Sequence, residues 1–177
     1  MPPVPKPRSD EVEFQAALQA EDELGMVVRA HIRIELCLNE LISLLAVDQT
    51  YIDKMSLEYA QKVNLAVGLG LLPGYAPPLL VMGSLRNAFA HRAEAALGRQ
   101  EVNNLYKAMP ADDRVIANQA YERTKKQLKT TNMPPFRSLP PKDQFIFIAV
   151  GLRAALMFAV EEAKAKKSAA SQETPIK

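Results

Sequence analysis

Residues 24–45 read LGMVVRAHIRIELCLNELISLL, and their apolar side chains recur at the three- and four-residue spacing of an α-helix. The spacing predicts one core-facing stripe, formed by Leu24, Val27, Ile34, Leu38, Leu41, Ile42 and Leu45. Arg29, Arg33 and Glu40 are predicted on the opposite face. No window of the sequence shows the sustained alternation of a half-buried strand. We therefore expect an all-α, single-domain bundle of about five to six helices.

Prolines and helix-end signals divide the rest of the chain. The first helix is predicted over about 11–46, with a weak point near Gly25, and four more over about 56–71, 77–95, 111–128 and 142–166. The domain is therefore predicted to span 10–166. A proline-rich leader at 1–9 and a small, polar tail at 167–177 are expected to be disordered.

Composition restricts the functional class. The 177 residues include 22 basic and 20 acidic side chains, so the net charge of +2 predicts no general affinity for nucleic acid or membranes. An anionic ligand would need a local site. The single cysteine, Cys37, lies in an apolar segment, which indicates a buried thiol and a cytoplasmic protein. The apolar stretch 145–160 is shorter than the roughly 20 residues of a membrane span and contains Arg153, so a core or interface helix is expected.

Three kinds of chemistry find little support. The segment GLGLLPG at 68–74 resembles a dinucleotide-binding fingerprint, but Pro73 occupies the third glycine position and no strand precedes it. His31 and His91 are far apart in sequence and no Cys-x-x-Cys occurs, so a zinc site within one chain is not expected. Ser84 lacks the surroundings of a hydrolase nucleophile. We expect neither a metal nor a cofactor.

The segment SLRNAFAHR at 84–92 lies on a helix with three predicted faces. Its apolar face contains Val81, Met82, Leu85, Ala88 and Phe89, and its polar stripe contains Ser84, Asn87, His91 and Glu94. Arg86 lies between them, on a flank lined by Gly83, Ala90 and Ala93. This small-residue flank predicts the close approach of another helix, against which Arg86 would be pressed.

Two ionisable residues are predicted within or beside the core stripe, namely His31 and Glu35. A carboxylate near the core needs a cation or several hydrogen bonds. His31 is four residues away, and Arg86 or Arg153 could reach Glu35 from another helix. The pair has two interpretations: a buried network that fixes the registry of the helices, or a supporting layer that orients Arg86 or His91.

Three segments, AHIRIELCLNELI, KVNLAVGLGLL and LRNAFAHR, resemble in order those of the HEPN superfamily and of the related mannitol operon repressor family. The resemblance covers about residues 24–94. Its most specific part is Arg86-Asn87 with His91, which is similar to the HEPN pattern of an arginine, a polar residue and a histidine. In active members this pattern implies a metal-independent endoribonuclease, of toxin or RNA-targeting defence type, with two copies facing each other in a dimer. Other relatives are inactive regulators or binding modules.

The pattern has a chemical reason. Cleavage of RNA by its own 2′-hydroxyl needs a base, an acid and a cation that stabilises the charge on phosphorus. His91 can serve as acid or base because an imidazole titrates near neutral pH. Arg86 can hold phosphate with two hydrogen bonds, and Asn87 can orient His91. Ser84, His31 and Glu35 are candidate supporting residues.

One chain supplies one such histidine, so we expect a homodimer formed by the third helix and the final one, with RNA as substrate. A cognate antitoxin or regulatory protein is a further candidate partner, and no membrane partner is expected. The alternative function is a non-catalytic helical regulator, similar to mannitol operon repressor proteins, that binds another protein.

Overall fold

The computed structural model describes residues 9–92, 94–127 and 134–172, and every regular element in these ranges is helical. The eight α-helices of these ranges are α1 Ser9–Gln19, α2 Glu23–Leu45, α3 Gln49–Asp53, α4 Tyr59–Gly68, α5 Ala76–His91, α6 Arg99–Ala108, α7 Ala111–Gln127 and α8 Pro141–Gln172. Single-turn 3-10 helices, Pro73–Tyr75 and Phe136–Ser138, precede α5 and α8. The all-α prediction is confirmed, whereas the predicted number of helices was too low.

Helix α2 lies at the centre of the bundle and packs most extensively on α8. The two helices are parallel. The ammonium of Lys142, at the start of α8, donates to the carbonyl of Glu21 just before α2. Towards the other end, Lys164 lies 2.8 Å from the carboxylate of Glu40. Helices α4 and α5 pack against α2 and against each other, and α1 packs on α2 and α8.

The stripe predicted on α2 is buried over most of its length. Val27, Ile34, Leu38, Leu41 and Ile42 are at most 2% exposed, and Leu45 is partly buried. The prediction for Leu24 is wrong, since this side chain is 47% exposed in the first turn of α2. As predicted, Arg29, Arg33 and Glu40 are exposed.

Several helix boundaries differ from the prediction. The single helix expected over 11–46 is two helices, because the Asp22 carboxylate accepts a hydrogen bond from the Gly25 amide at 2.7 Å and caps a new helix. Helices α3 and α6 were not predicted. Helix α5 ends at His91, and α8 continues past 166 to Gln172. Residues 1–8 and 173–177, where disorder was predicted, lie outside the described ranges.

Helix α8 is a core helix of this bundle. Phe145, Ile148, Leu152 and Leu156 on it are at most 1% exposed, and α1, α2, α6 and α7 all contact it. Residues Pro141–Ala169 would be long and apolar enough to cross a bilayer, but the core helix of a soluble protein passes the same test. The packing agrees with the prediction of a core helix.

The flank of α5 that was predicted to receive another helix is filled from within the chain at Gly83. This glycine is buried, and a Cβ placed on it would lie 2.7 Å from Cδ1 of Tyr59 on α4. Gly83 therefore allows α4 and α5 to approach closely, and it gives no reason for a second chain there. Ala90 is exposed, and Ala93 lies outside the described residues.

Gly83→Ala should destabilise the fold by roughly 1–3 kcal/mol, because the added methyl overpacks the contact with the Tyr59 ring. Gly151→Ala is the matched control, since this glycine is also helical but has nothing within 4 Å of its Cβ position. That control should gain up to about 1 kcal/mol from helix propensity. Urea denaturation of both variants measures the difference, and equal midpoints would contradict the packing role of Gly83.

Candidate functional site

Helix α5 carries the residues singled out in the segment 84–92, and its two predicted faces are present. Met82 and Leu85 are buried, while the rest of the apolar face is half-buried. Ser84, Asn87 and His91 are exposed on α5. Glu94 is also exposed but lies beyond the end of the helix, so the polar stripe is shorter than predicted. His91 is the last residue of the helix, so its imidazole is open to solvent and to any ligand that approaches α5.

Arg86 and His91 lie on different sides of α5. Five residues correspond to about 140° of rotation around a helix, so the two side chains diverge. Arg86 is half-buried on the side that packs against the bundle, and its guanidinium donates to Oδ1 of Asn87 at 2.9 Å. One chain therefore carries a half-buried guanidinium and an exposed imidazole on the same helix. The two groups do not point towards a common ligand position.

The hydroxyl of Ser84, proposed as a supporting group, donates to the carbonyl of Leu80 at 3.0 Å. This bond between a side chain and the preceding helical turn is common for serine within helices. Ser84 thus already has a partner within α5. Its exposure leaves it accessible on the same stripe as His91.

A polar cluster lies between α2 and α4, and His31 is its buried member. His31 is 2% exposed, and its ring lies 4.2 Å from the ring of Tyr59, between centroids. Nδ1 of His31 lies 3.8 Å from Oε2 of Glu35, and the other oxygen of that carboxylate accepts from Nζ of Lys62 at 2.6 Å. We call these four residues the His31 cluster.

Of the partners predicted for Glu35, His31 lies close to the carboxylate, but the cation that pairs with it was not predicted. Lys62 on α4 supplies the close cation, whereas Arg153 lies 3.1 Å from Asp10 and Arg86 donates to Asn87. The one signal for this pair in the sequence is weak: Lys62 is three residues after Tyr59, so the two side chains share a face of α4. A contact between side chains 27 residues apart in sequence could not be placed without the packing of α2 on α4.

Electrostatics link the His31 cluster to Arg86. Burial lowers the pKa of His31 below its usual value of 6.5, Glu35 acts in the opposite direction, and the positive charges of Arg86 and Lys62 lower it further. Burial, and then the charge of Glu35, raise the pKa of Tyr59. Oη of Tyr59 is buried without a hydrogen-bond partner among the described residues. The cluster thus holds a neutral imidazole and a neutral phenol beside the arginine.

This arrangement can position a cation and present a proton-transfer group. Arg86 is half-buried and close enough for its charge to act on His31, and a guanidinium can bind a phosphate with two hydrogen bonds. His91 is exposed, so a ligand can reach its imidazole. Comparisons with models of protein families, with curated proteins and with solved structures found no match.

The low pKa of His31 makes the stability of the fold depend on pH. At pH 7.5 the imidazole is neutral in both the folded and unfolded chains. As pH falls below 6.5, the unfolded chain takes up the proton first, so stability is lost until the lower folded pKa is reached. The limiting slope for one proton is about 1.4 kcal/mol per pH unit.

Urea denaturation between pH 7.5 and 5.5 tests this dependence. His31→Gln should remove the part of the slope that comes from this residue. His91→Gln is the matched control because His91 is exposed, and it should keep the wild-type slope. If the two variants show the same pH dependence, buried His31 is not the source.

Proposed function

We propose that the protein is a HEPN-like, metal-independent endoribonuclease whose site is completed by a second copy of the chain. The observation that carries the proposal is the arrangement on α5, where Arg86 is half-buried and bonded to Asn87 and His91 is open to solvent. Two side chains that diverge by about 140° on one helix can act on one phosphate only if another chain supplies one of them. The cytoplasm is the compartment that fits an RNA substrate.

The roles follow from the chemistry of RNA cleavage. The imidazole of one chain removes the proton of the 2′-hydroxyl, and the imidazole of its partner protonates the 5′-oxygen as it leaves. Arg86 stabilises the negative charge that builds on phosphorus. Asn87 accepts a hydrogen bond from Arg86 and so fixes the guanidinium rather than His91.

The outward face of α2 is the surface that we assign to the second copy. Leu24, Ile32 and Leu36 are 47–53% exposed, and half-buried Val28 continues their four-residue spacing. Residues at this spacing form a ridge on a helix, and such ridges pack into the grooves of a second helix. The α2 ridge is symmetric about residue 30, so an antiparallel partner would place Leu24 against Leu36 and Val28 against Ile32.

The two-fold axis that relates antiparallel α2 helices lies in the interface and runs across them. Rotation about such an axis leaves α5 of both chains on the same side of the two α2 helices. Arg86 lies near His31, close to the centre of the α2 ridge, so both arginines would flank the axis. The dimer then has one shared groove that contains two arginines and two histidines.

The alternative function is that of a non-catalytic regulator. The exposed α2 ridge would equally suit a regulator that binds another protein, such as an antitoxin, and the His31 cluster would then fix only the registry of the helices. This non-catalytic function, similar to that of mannitol operon repressor proteins, predicts no RNA cleavage and no growth arrest on overexpression.

The purified protein should cut mixed single-stranded RNA in excess chelator and leave 2′,3′-cyclic phosphate ends. His91→Ala should abolish this activity without loss of the fold, because His91 is exposed. Arg86→Lys should also lose most activity, since a point charge does not reproduce the planar guanidinium. Gel analysis of the products and of their end groups measures both effects.

Phe89→Ala tests how much this side chain on the apolar face of α5 contributes to the stability of the fold. Because Phe89 is only half-buried, its loss should destabilise the fold by less than the roughly 3–5 kcal/mol typical of a buried phenylalanine. If the wild-type protein cuts no RNA and its overexpression is harmless, the ribonuclease proposal is wrong and the regulator function takes its place.

The α2 ridge should control assembly. Light scattering at micromolar concentration should give twice the chain mass of 19.6 kDa, and Ile32→Gln with Leu36→Gln should reduce it to that of one chain. Phe158→Gln is the matched control, since Phe158 is an exposed apolar residue on α8. A wild-type monomer, or a dimer that survives the double substitution, would contradict the assigned face.

A further inference from the structure

A cavity of about 760 Å³ opens between the last turns of α5 and the start of α6. Its apolar wall comes from α5, and charged side chains surround its opening. The residues that define it here are Leu85, Ala88, Phe89, Arg92, Glu94 and Glu101. The volume lies within the range of about 300–1,000 Å³ that is typical of small-molecule sites.

The wall opposite α5 is held in place by contacts with the rest of the bundle. The amide of Ala95 donates to the carbonyl of Arg92 at 3.1 Å and closes a turn directly after α5. Leu97 is 3% exposed, and its amide donates to the Glu23 carboxylate on α2 at 2.8 Å. These two hydrogen bonds hold the wall at Ala95 and at Leu97, and a wall that is held before a ligand arrives lowers the entropic cost of binding.

The cavity lies beside His91. Ala88 in its wall is three residues before His91, so the two side chains are neighbours on the surface of α5. Arg92 at the opening follows His91 directly. A ligand group held in the cavity would therefore be adjacent to a phosphate positioned at the imidazole.

We propose that this cavity binds the nucleobase next to the scissile phosphate and that it favours guanine. This inference rests on the proposed ribonuclease function. The half-buried ring of Phe89 offers an aromatic surface for a base, and aromatic side chains commonly bind single-stranded RNA in this way. The positive charge of Arg92 at the opening attracts the phosphate backbone.

The carboxylate of Glu101 gives the preference for guanine. It is half-buried and lines the cavity, and its two oxygens accept hydrogen bonds. Guanine presents two adjacent donors on its Watson–Crick edge, which match the two oxygens of a carboxylate. Uracil presents one donor between two carbonyl oxygens, which the carboxylate repels. Glu94 at the exposed opening adds to the negative potential that disfavours uracil.

Nucleotide binding by the wild-type protein tests the inference without the need for cleavage. Guanosine 5′-monophosphate should bind roughly tenfold more tightly than uridine 5′-monophosphate in calorimetry, as expected for one bidentate contact. In a nitrogen-15 correlation spectrum, the guanosine nucleotide should shift amides that line the cavity, such as those of Phe89 and Glu101. Equal affinities, or shifts that map elsewhere, would overturn the assignment.

Glu101→Gln should remove the preference between the two nucleotides, because only one of the two polar atoms of an amide accepts, so the side chain cannot receive the two parallel donors of guanine. Glu162→Gln, on the exposed face of α8, is the matched control and should leave both affinities unchanged. Phe89→Leu keeps most of the apolar volume but removes the ring, so it should weaken both nucleotides similarly. A preference that persists in Glu101→Gln would show that this carboxylate does not select the base.

The failure of this inference can be separated from the failure of the proposed function. RNA cleavage that shows no bias for guanine, together with no nucleotide binding in the cavity, overturns the inference alone. Binding of the guanosine nucleotide at the cavity by a protein that cuts no RNA supports the base site and contradicts the ribonuclease. Cleavage next to guanine that becomes unselective in Glu101→Gln supports both.

Discussion

The burial of α2 on two sides is the constraint on which the rest of the structure depends. One side of this helix packs along α8 and the other packs against α4 and α5, so its apolar stripe forms the middle of the core. Because the stripe is continuous from Met26 to Ile42, a polar residue within it must be neutral or paired. His31 meets this condition as a buried neutral imidazole against Tyr59, and Glu35 meets it through Lys62.

The same packing determines how α5 presents its polar residues. Gly83 lets the Tyr59 ring lie directly against α5, and Arg86, about one turn further along, is close enough for its charge to lower the pKa of His31. The remaining rotation of the helix turns His91 to solvent. The proposed site is thus divided between a part fixed by the core and a part open to ligands. Because His91 lies in the open part, it can be replaced without loss of the fold.

Helical periodicity predicted much of the fold because it records directly which side chains face a core. It gave the all-α class, most of the α2 stripe and the exposed stripe that contains His91. The break at Asp22 was missed because polar residues such as Glu21 and Glu23 are as common on the surface of a continuous helix as they are at the start of a new one. The contact of Gly83 with Tyr59 was assigned to a second chain, since small residues permit close packing within a chain or between chains. Lys62 was missed as the partner of Glu35 because its contact depends on how two distant helices pack.

The central claim is that two chains share one site, and dimers assembled from wild-type and His91→Ala chains test it most directly. The two proteins are dissociated, mixed in equal amounts and allowed to reassociate at random. If the shared groove needs both imidazoles, only dimers of two wild-type chains cut RNA, and the rate should fall to about one quarter of that of the same amount of wild-type dimer. A rate of about one half would mean that each chain cuts RNA by itself, and it would contradict the shared site.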